Sequence, residues 1–285
     1  MFLRSEVERA FAAGFDGVDV AIVHAAPRAI GEVVGGIDAL TFALLAAAST
    51  RTTLVFPAFC AIQSDPAGWT SPPIPRDQID AARDELLPFD VRDTSPWKMG
   101  RHVERIVRDP RAHRSRHPTE SVVAIGPRAE EIVRVHPIDD PMGPRSPWAR
   151  LLELDARVLL VGVGFTRCSM LHHVERMANV AYLDTAAYRT FVDVDGERRW
   201  IDVDSGGGCS EGFDAIEPVL RREKLIRDAR IGDAKTTIVG ARDLFAHATA
   251  SLTPDPSALL CSELTCDACT RARAAIEIAR GGRGG

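Results

Sequence analysis

The chain has 285 residues, of which 45% are hydrophobic, 26% charged and 6% aromatic, with a formal net charge of -5. This is enough apolar material for one large or two modest packed cores, which excludes disorder across the whole chain, and the acidic balance argues against a nucleic-acid surface. The start, Met1-Phe2-Leu3-Arg4, runs into an amphipathic stretch over residues 5–13 with no apolar signal core. No segment approaches the ~18 apolar residues of a membrane span. Neither nucleic acid nor membrane is expected as a partner, and a cytoplasmic location is expected. The six cysteines then read as reduced thiols or metal ligands rather than a disulfide framework.

In chain order, a helix over 5–13 leads through an Asp16-Gly17 turn into a strand over 18–24. A loop follows to the pair Gly35-Gly36, then a helix over 37–48 and a second strand over 52–56 stopped by Pro57. This alternation predicts an α/β fold with a parallel or mixed central sheet flanked by helices. Between Cys60 and Gly100 the composition changes, with Pro66, Pro72, Pro73, Pro75, Pro88 and Pro96 beside Trp69 and Trp97, and this excursion reads as a wall or lid. A helix over 100–107, a loop over 111–119, a strand over 121–125 and a helix opened by Pro127 come next. Ser146-Pro147 opens another helix, which feeds a strand over 157–164. Residues 188–193 and 198–203 alternate around Asp195-Gly196, a β-hairpin signal. Two or three helices are expected between 213 and 252, followed by a cysteine-bearing helical tail and a flexible end over 280–285.

The strand over 157–164, Arg-Val-Leu-Leu-Val-Gly-Val-Gly, is followed at once by Phe-Thr-Arg-Cys-Ser-Met-Leu-His-His-Val-Glu at helical spacing. His172 or His173 therefore sits past a strand's carboxyl end, where open α/β sheets build their crevices. On a helix, His172 and Glu175 share a face, so the carboxylate can fix the imidazole's tautomer and raise its basicity. The blander alternative puts one histidine in the core and pairs Glu175 with Arg176 or Arg108 on the surface.

Three further groupings stand out. The loop Val23-His24-Ala25-Ala26-Pro27-Arg28-Ala29-Ile30-Gly31 presents backbone amides and an arginine, as a phosphate requires, but matches no dinucleotide or Walker pattern. Arg111, His113, Arg114, Arg116 and His117 form a second candidate anion site, or a solvated charge run. Cys209, Cys261, Cys266 and Cys269 could close a tetrahedral zinc site or lie buried without metal, while Cys60 and Cys168 read as free thiols.

Taken together, several segments resemble the aminoglycoside 3-N-acetyltransferase family and its antibiotic N-acetyltransferase fold. They are residues 23–31 with Gly35-Gly36, Thr53-Leu-Val-Phe-Pro57, Arg114-Ser115-Arg116-His117-Pro118-Thr119, Gly126-Pro127-Arg128-Ala129-Glu130, Ser146-Pro147-Trp148-Ala149-Arg150-Leu151, the strand at 158–164 and Leu171-His172-His173-Val174-Glu175. They run in the family's order over about the first two-thirds of the chain. The resemblance implies one acetyltransferase domain over 1–285, with a coenzyme-binding and catalytic core at 1–187 and a hairpin, helical and Cys-rich acceptor side at 188–279. It implies transfer from acetyl-CoA to the 3-amino group of an aminoglycoside or related amino sugar, with His172 as general base and Glu175 as its partner. By the same resemblance, Ala26, Arg28, Ala29 and Ile30 would line the coenzyme's arm, with Ser115, His117 and Thr119 opposite. The cysteines of a subset of relatives favour a structural zinc on Cys209, Cys261, Cys266 and Cys269.

Two departures stand against the family pattern. Ala25 and Ala26 replace serines, and Ser205-Gly206-Gly207-Gly208 replaces the acidic residues that precede Cys209 in close relatives and hold a polycationic acceptor. Asp202, Asp204 and Glu211 are the candidate substitutes. The alternatives are therefore an acyl-CoA-dependent transferase for another amine, or a zinc-stapled small-molecule-binding protein that has lost transfer, with a zinc hydrolase ranked last. A monomer or homodimer is expected.

Overall fold

The structure is a computed structural model and describes residues 1–48, 50–70, 72–204 and 208–281. Nine strands are seen among these residues: β1 (Val20–Ala25), β2 (Thr53–Pro57), β3 (His113–Arg114), β4 (Val122–Ile125), β5 (Arg157–Val161), β6 (Tyr188–Val194), β7 (Glu197–Val203), β8 (Arg227–Ile231) and β9 (Ala234–Gly240). Seven of them form one sheet in the order β3-β4-β2-β1-β5-β9-β8, and β6 and β7 pair as a separate hairpin. β1 runs parallel to β2 and β5 at the centre, and all remaining neighbours are antiparallel. The mixed α/β sheet expected from the sequence is thus present.

Alternation along the central strands divides the core into two layers. Ile22, Val55, Ala124, Val158 and Leu160 face one way, under the helices Pro147–Glu153, Met170–Met177 and Ala241–Leu252. Ala21, Val23, Leu54, Leu159 and Val161 face the other, under the helices Arg4–Gly14, Gly36–Ala46 and Arg101–Val107. Apolar burial on both faces is what makes β1, β2 and β5 read as near-continuous hydrophobic runs. Among the described residues no helix is long and apolar enough to cross a membrane.

Several boundaries differ from the sequence expectation. β5 stops at Val161, because Gly162 turns the chain with φ 66°. Pro127 stands outside the helix Ala129–Val133 rather than in its first turn. Ser146 caps the helix Pro147–Glu153 as expected, accepting from the Ala149 amide at 3.4 Å. The largest miss is the β8-β9 hairpin in a region expected to hold only helices. Here only a short 3-10 turn (Phe213–Ile216), the helix Glu217–Arg222 and the helix Ala241–Leu252 are helical. β8, Arg-Asp-Ala-Arg-Ile, is an edge strand of mostly polar residues, so its signal was the Gly232-Asp233 turn and the β-branched run after it. Asp195 and Gly196 both adopt positive φ, as the β6-β7 turn requires. The last helix, Asp267–Gly281, takes in Arg280 and Gly281 of the end expected to be flexible, while residues 282–285 and the glycine-rich stretch 205–207 lie outside the described residues.

The excursion over 60–100 is tied to the hairpin. Asp65 N donates to Arg189 O at 2.7 Å, Thr190 Oγ1 donates to Gln63 O at 2.8 Å, and Arg83 grips Asp65 through two hydrogen bonds of 2.9 and 2.8 Å.

Two expectations about stability follow. A Cβ at Gly162 would collide with Ala29 Cβ on the short helix Pro27–Ile30. Gly162→Ala is therefore expected to cost about 1–3 kcal/mol in urea unfolding, and a cost near zero would show that the turn can relax. His24, His102 and His117 are buried, and burial holds each at about 4, below the ordinary 6.5. Between those values the unfolded chain binds protons that the fold refuses, so stability is unaffected above pH 6.5 and falls as pH drops towards 4. Each histidine is expected to contribute on the order of 2 kcal/mol to that loss, beginning above the carboxylate range. Urea midpoints that stay constant from pH 7 to 5 would contradict it.

Candidate active site

The helix Met170–Met177 starts one 3-10 turn, Phe165–Arg167, after the glycines at the carboxyl end of β5. Three-residue spacing on that helix brings His172 and Glu175 onto one face. His172 Nδ1 donates to Glu175 Oε2 at 2.9 Å, and Tyr182 OH donates to Glu175 Oε1 at 2.7 Å. Glu175 is 1% exposed. Burial pushes its carboxyl up from the ordinary range, and the bonds from His172 and Tyr182 work against that shift. Because Nδ1 carries the hydrogen given to Glu175, Nε2 is left with its lone pair. The ring stands edge-on to Phe213, centroids 4.8 Å apart.

His173 has a different fate. It is buried, and its Nδ1 donates to Met142 O at 2.6 Å while the ring leans on Phe245. The choice left open between the two histidines is thus separated by geometry: one is in the core, the other at a cavity wall. Glu175 is not on the surface with Arg176, which pairs instead with Asp140 at 2.9 Å.

Two cavities meet at His172. One, of about 450 Å³, is walled by His24 and Ala25 at the end of β1, by Phe59, and by Met99 and His102. The other, of about 250 Å³, is bounded by Phe59, Thr119, Glu120, Met142 and Tyr188. His172 and Phe59 belong to both. A third cavity of about 570 Å³ lies beyond Glu175 and Tyr182, towards Cys209 and Cys269.

The residues suggested for the coenzyme distribute unevenly. Ala26 and Ala29 are half-buried, Arg28 is exposed and Ile30 is in the core, all at the short helix Pro27–Ile30 that continues from β1. None of the four lines either cavity that touches His172. Ser115 and His117 are internal. Ser115 Oγ donates to His136 Nδ1 at 2.8 Å and accepts from the Val122 amide at 2.9 Å. His117 Nε2 donates to Ile138 O at 3.1 Å, and its Nδ1 accepts from the Glu120 amide at 2.9 Å. Thr119 alone of the three reaches the cavity beside His172, where its Oγ1 lies 2.5 Å from Tyr188 OH. The candidate acidic substitutes lie elsewhere: Asp202 pairs with Arg189 at 3.2 Å with its side chain 89% exposed, Glu211 pairs with Arg167 at 3.2 Å, and Asp204 lines none of these cavities.

Cys209, Cys261, Cys266 and Cys269 converge, their sulfurs all within 4.8 Å of one another. Cys261 Sγ and Cys269 Sγ are 3.4 Å apart. Four thiol donors at this separation fit a tetrahedral zinc site with bonds of about 2.3 Å. Cys60 and Cys168 are buried free thiols, and burial pushes Cys168 up to about 12.

Sequence reasoning missed Tyr182, Tyr188, Glu120, Phe213 and His102, and met His24 only as part of the candidate anion loop at 23–31. Tyr182 carried a faint signal, lying seven residues after Glu175 just beyond the helix end. The others come together only through the tertiary fold, from the β6-β7 hairpin, a 3-10 turn, a helix and the loop before β4.

The comparisons with known proteins fit this arrangement. The family model for aminoglycoside 3-N-acetyltransferase matches residues 22–253. Aminoglycoside N(3)-acetyltransferase IX of Micromonospora chalcea is 34% identical over 251 residues, covering 81% of this chain and 86% of that protein. The crystal structure of the aminoglycoside acetyltransferase AAC(3)-IVa apoenzyme superposes with a TM-score of 0.79 at 29% identity, covering 96% of this chain and 98% of that one. The binary structure of AAC-IIIb with CoASH superposes with a TM-score of 0.72 at 25% identity, covering 86% and 95%. This chain, with its mixed sheet and its His172–Glu175 pair, belongs to the aminoglycoside 3-N-acetyltransferase family, whose curated relatives are acyltransferases.

Proposed function

We propose that this protein transfers an acetyl group from acetyl-CoA to the 3-amino group of an aminoglycoside or related amino sugar, with His172 as general base. The observation that carries this reading is the position of His172: Nδ1 is locked onto a buried carboxylate and the ring is shared by two cavities. Acetyl-CoA supplies the electrophilic thioester carbonyl. The CoASH-bound relative supports a coenzyme of that kind, and the curated relatives' names support the acceptor class. The larger cavity, walled in part by Ala25, Phe59 and Met99, suits the thioester end of the coenzyme. The residues that follow Ala25 in the chain, Ala26 and then Arg28, Ala29 and Ile30 of the short helix, would belong to the segment that meets the coenzyme's arm farther out. The smaller cavity suits the amine. Ser115 and His117 act from behind it by holding the loop that carries Thr119.

An amine is protonated near neutral pH and cannot attack a carbonyl until it gives up a proton. His172 Nε2 accepts that proton, and Glu175, out of water, stabilises the resulting imidazolium and keeps the ring aimed. Tyr182 holds the second carboxylate oxygen, so Glu175 cannot rotate away. Setting amine and thioester against one ring supplies rate through orientation, with no acyl-enzyme required. On this reading residues 1–187 bind coenzyme and carry catalysis, residues 188–279 close the acceptor side, and both belong to one acetyltransferase unit.

We also propose that Cys209, Cys261, Cys266 and Cys269 hold a structural zinc. Four protein ligands leave no open position, so the metal's contribution would be to stability. Cys209 lies four residues before Phe213, the ring packed against His172, so the site would anchor the wall of the catalytic pocket.

The test is thiol release from acetyl-CoA over a panel of aminoglycosides and other amines. His172→Ala is expected to lower kcat by at least about 10³-fold while calorimetric coenzyme binding persists, and Glu175→Gln by about 10²-fold. Release with other amines but no aminoglycoside would favour a different acceptor, and an active His172→Ala would remove the general base. Metal analysis should find one zinc per chain, and chelation should lower the melting temperature by several degrees. Unchanged melting after complete metal removal would refute the structural role.

A further inference from the structure

The proposed acceptor carries several ammonium groups, yet the carboxylates near the pocket, and two of the candidate acidic substitutes farther out, are taken. Asp65 is held by Arg83, Asp140 by Arg176, Glu211 by Arg167 and Asp202 by Arg189, and both oxygens of Glu175 accept from His172 and Tyr182. Glu120 differs. It lines the cavity of about 250 Å³ that it shares with His172, between the apolar walls of Phe59 and Met142. Its Oε1 accepts from Tyr188 OH at 2.8 Å, whereas Oε2 is buried with no hydrogen-bond partner among the described residues.

The surroundings hold the rest of the residue in place. Tyr188 gives its hydrogen to Glu120, so the 2.5 Å contact to Thr119 is donated by the threonine hydroxyl. The Glu120 amide is pinned to His117 Nδ1 at 2.9 Å. Backbone and carboxyl are thus both held, the first by His117, which the sequence had suggested for the coenzyme, and the second by Tyr188. Among the described residues no arginine or lysine bears on the carboxyl. Burial pushes it above the ordinary range, while the Tyr188 hydrogen bond and the charge of a protonated His172 act against that shift. A buried carboxylate oxygen left without a donor is costly, and an arriving cation removes the cost.

We propose that Glu120 is the acceptor's anchor, its free Oε2 receiving a hydrogen bond from an ammonium group of the amino sugar so that a neighbouring amine faces His172. The assignment rests on the acetyl-transfer reading above and deepens it. It names a carboxylate, contributed from the loop before β4, in place of the acidic residues missing ahead of Cys209. Glu120 is a binding residue here, not the base.

Glu120→Gln tests it, because the amide oxygen still accepts from Tyr188 while the charge is gone. Expected is a rise in KM for a polycationic aminoglycoside such as gentamicin of about 10- to 100-fold, with kcat within about threefold and KM for acetyl-CoA unchanged. Calorimetry with gentamicin alone should show the same loss of affinity, whereas His172→Ala should bind it and fail to turn it over. Tyr188→Phe separates charge from scaffolding: it removes the hydrogen bond and keeps the carboxylate, so its KM should move much less than that of Glu120→Gln. Glu120→Gln binding gentamicin as tightly as the parent, or Tyr188→Phe matching it in both KM and kcat, would overturn the anchor and leave acetyl transfer standing. A parent protein that binds no aminoglycoside in calorimetry overturns the anchor whatever its activity. One that binds aminoglycoside through Glu120 but releases no thiol from acetyl-CoA overturns the transfer reading and keeps the anchor.

Discussion

Glu175 is 1% exposed, and a carboxylate removed from water is unstable unless donors meet its oxygens. Here they are met by His172 and Tyr182, one on each oxygen, so the charge is held without being neutralised by an arginine or lysine. That choice of partners has a chemical effect. An arginine would satisfy the carboxylate permanently and leave an adjacent imidazole with little gain on protonation. Two neutral donors leave the carboxylate able to stabilise a positive ring when one forms, and the low dielectric around it increases the effect. The remaining geometry of the site serves this pair.

The pair can exist only because of the sheet beneath it. β5 is buried on both faces, and its carboxyl end turns through Gly162 before the helix bearing His172 begins. One face of that helix, with Met170, Leu171 and Val174, packs into the core layer under β1, β5 and β9, and the opposite edge carries His172 to the cavities. Since side chains on β1 alternate, Val23 belongs to the second core layer and His24, next in line, does not, and at the end of the strand both border the cavity that reaches His172. The edge that carries His172 is therefore the place where the two core layers end.

Different parts of this were legible in the sequence for different reasons. The central strands announced themselves because double-sided burial demands unbroken apolar runs, and the His172–Glu175 pair because helical spacing is local. β8 was not legible, since an edge strand exposed on one side needs little apolar content and Arg227-Asp-Ala-Arg-Ile supplies little. The roles of Ser115, His117 and Thr119 illustrate a subtler limit. Their pattern marked a loop that matters, but a motif cannot tell a side chain that meets a ligand from one that meets its own backbone. The structure shows Ser115 and His117 bonding to Val122, His136, Ile138 and Glu120, with only Thr119 at the cavity. Glu120 was invisible as a functional residue because what distinguishes it is one unpartnered oxygen, which depends on Tyr188 arriving from 68 positions further along the chain.

The cysteine cluster and the His172 pair are linked through shared neighbours. Tyr182, which holds Glu175, lines the same cavity as Cys209 and Cys269, and Phe213, which packs edge-on against His172, follows Cys209 in the chain. Cys261 and Cys269 are buried, so bringing four sulfurs together without metal leaves weakly bonded thiols where packing should be tight. A metal bound there would convert that liability into a rigid corner joining the segment after β7 to the helix Asp267–Gly281. Rigidity at this corner would matter because Phe213, four residues after Cys209, packs against His172, and Tyr182, which lines a cavity with Cys209 and Cys269, holds Glu175. A site with four protein ligands would therefore act on catalysis only through position, and its loss would be felt as a loosened Phe213 and Tyr182 before any bond to substrate changed.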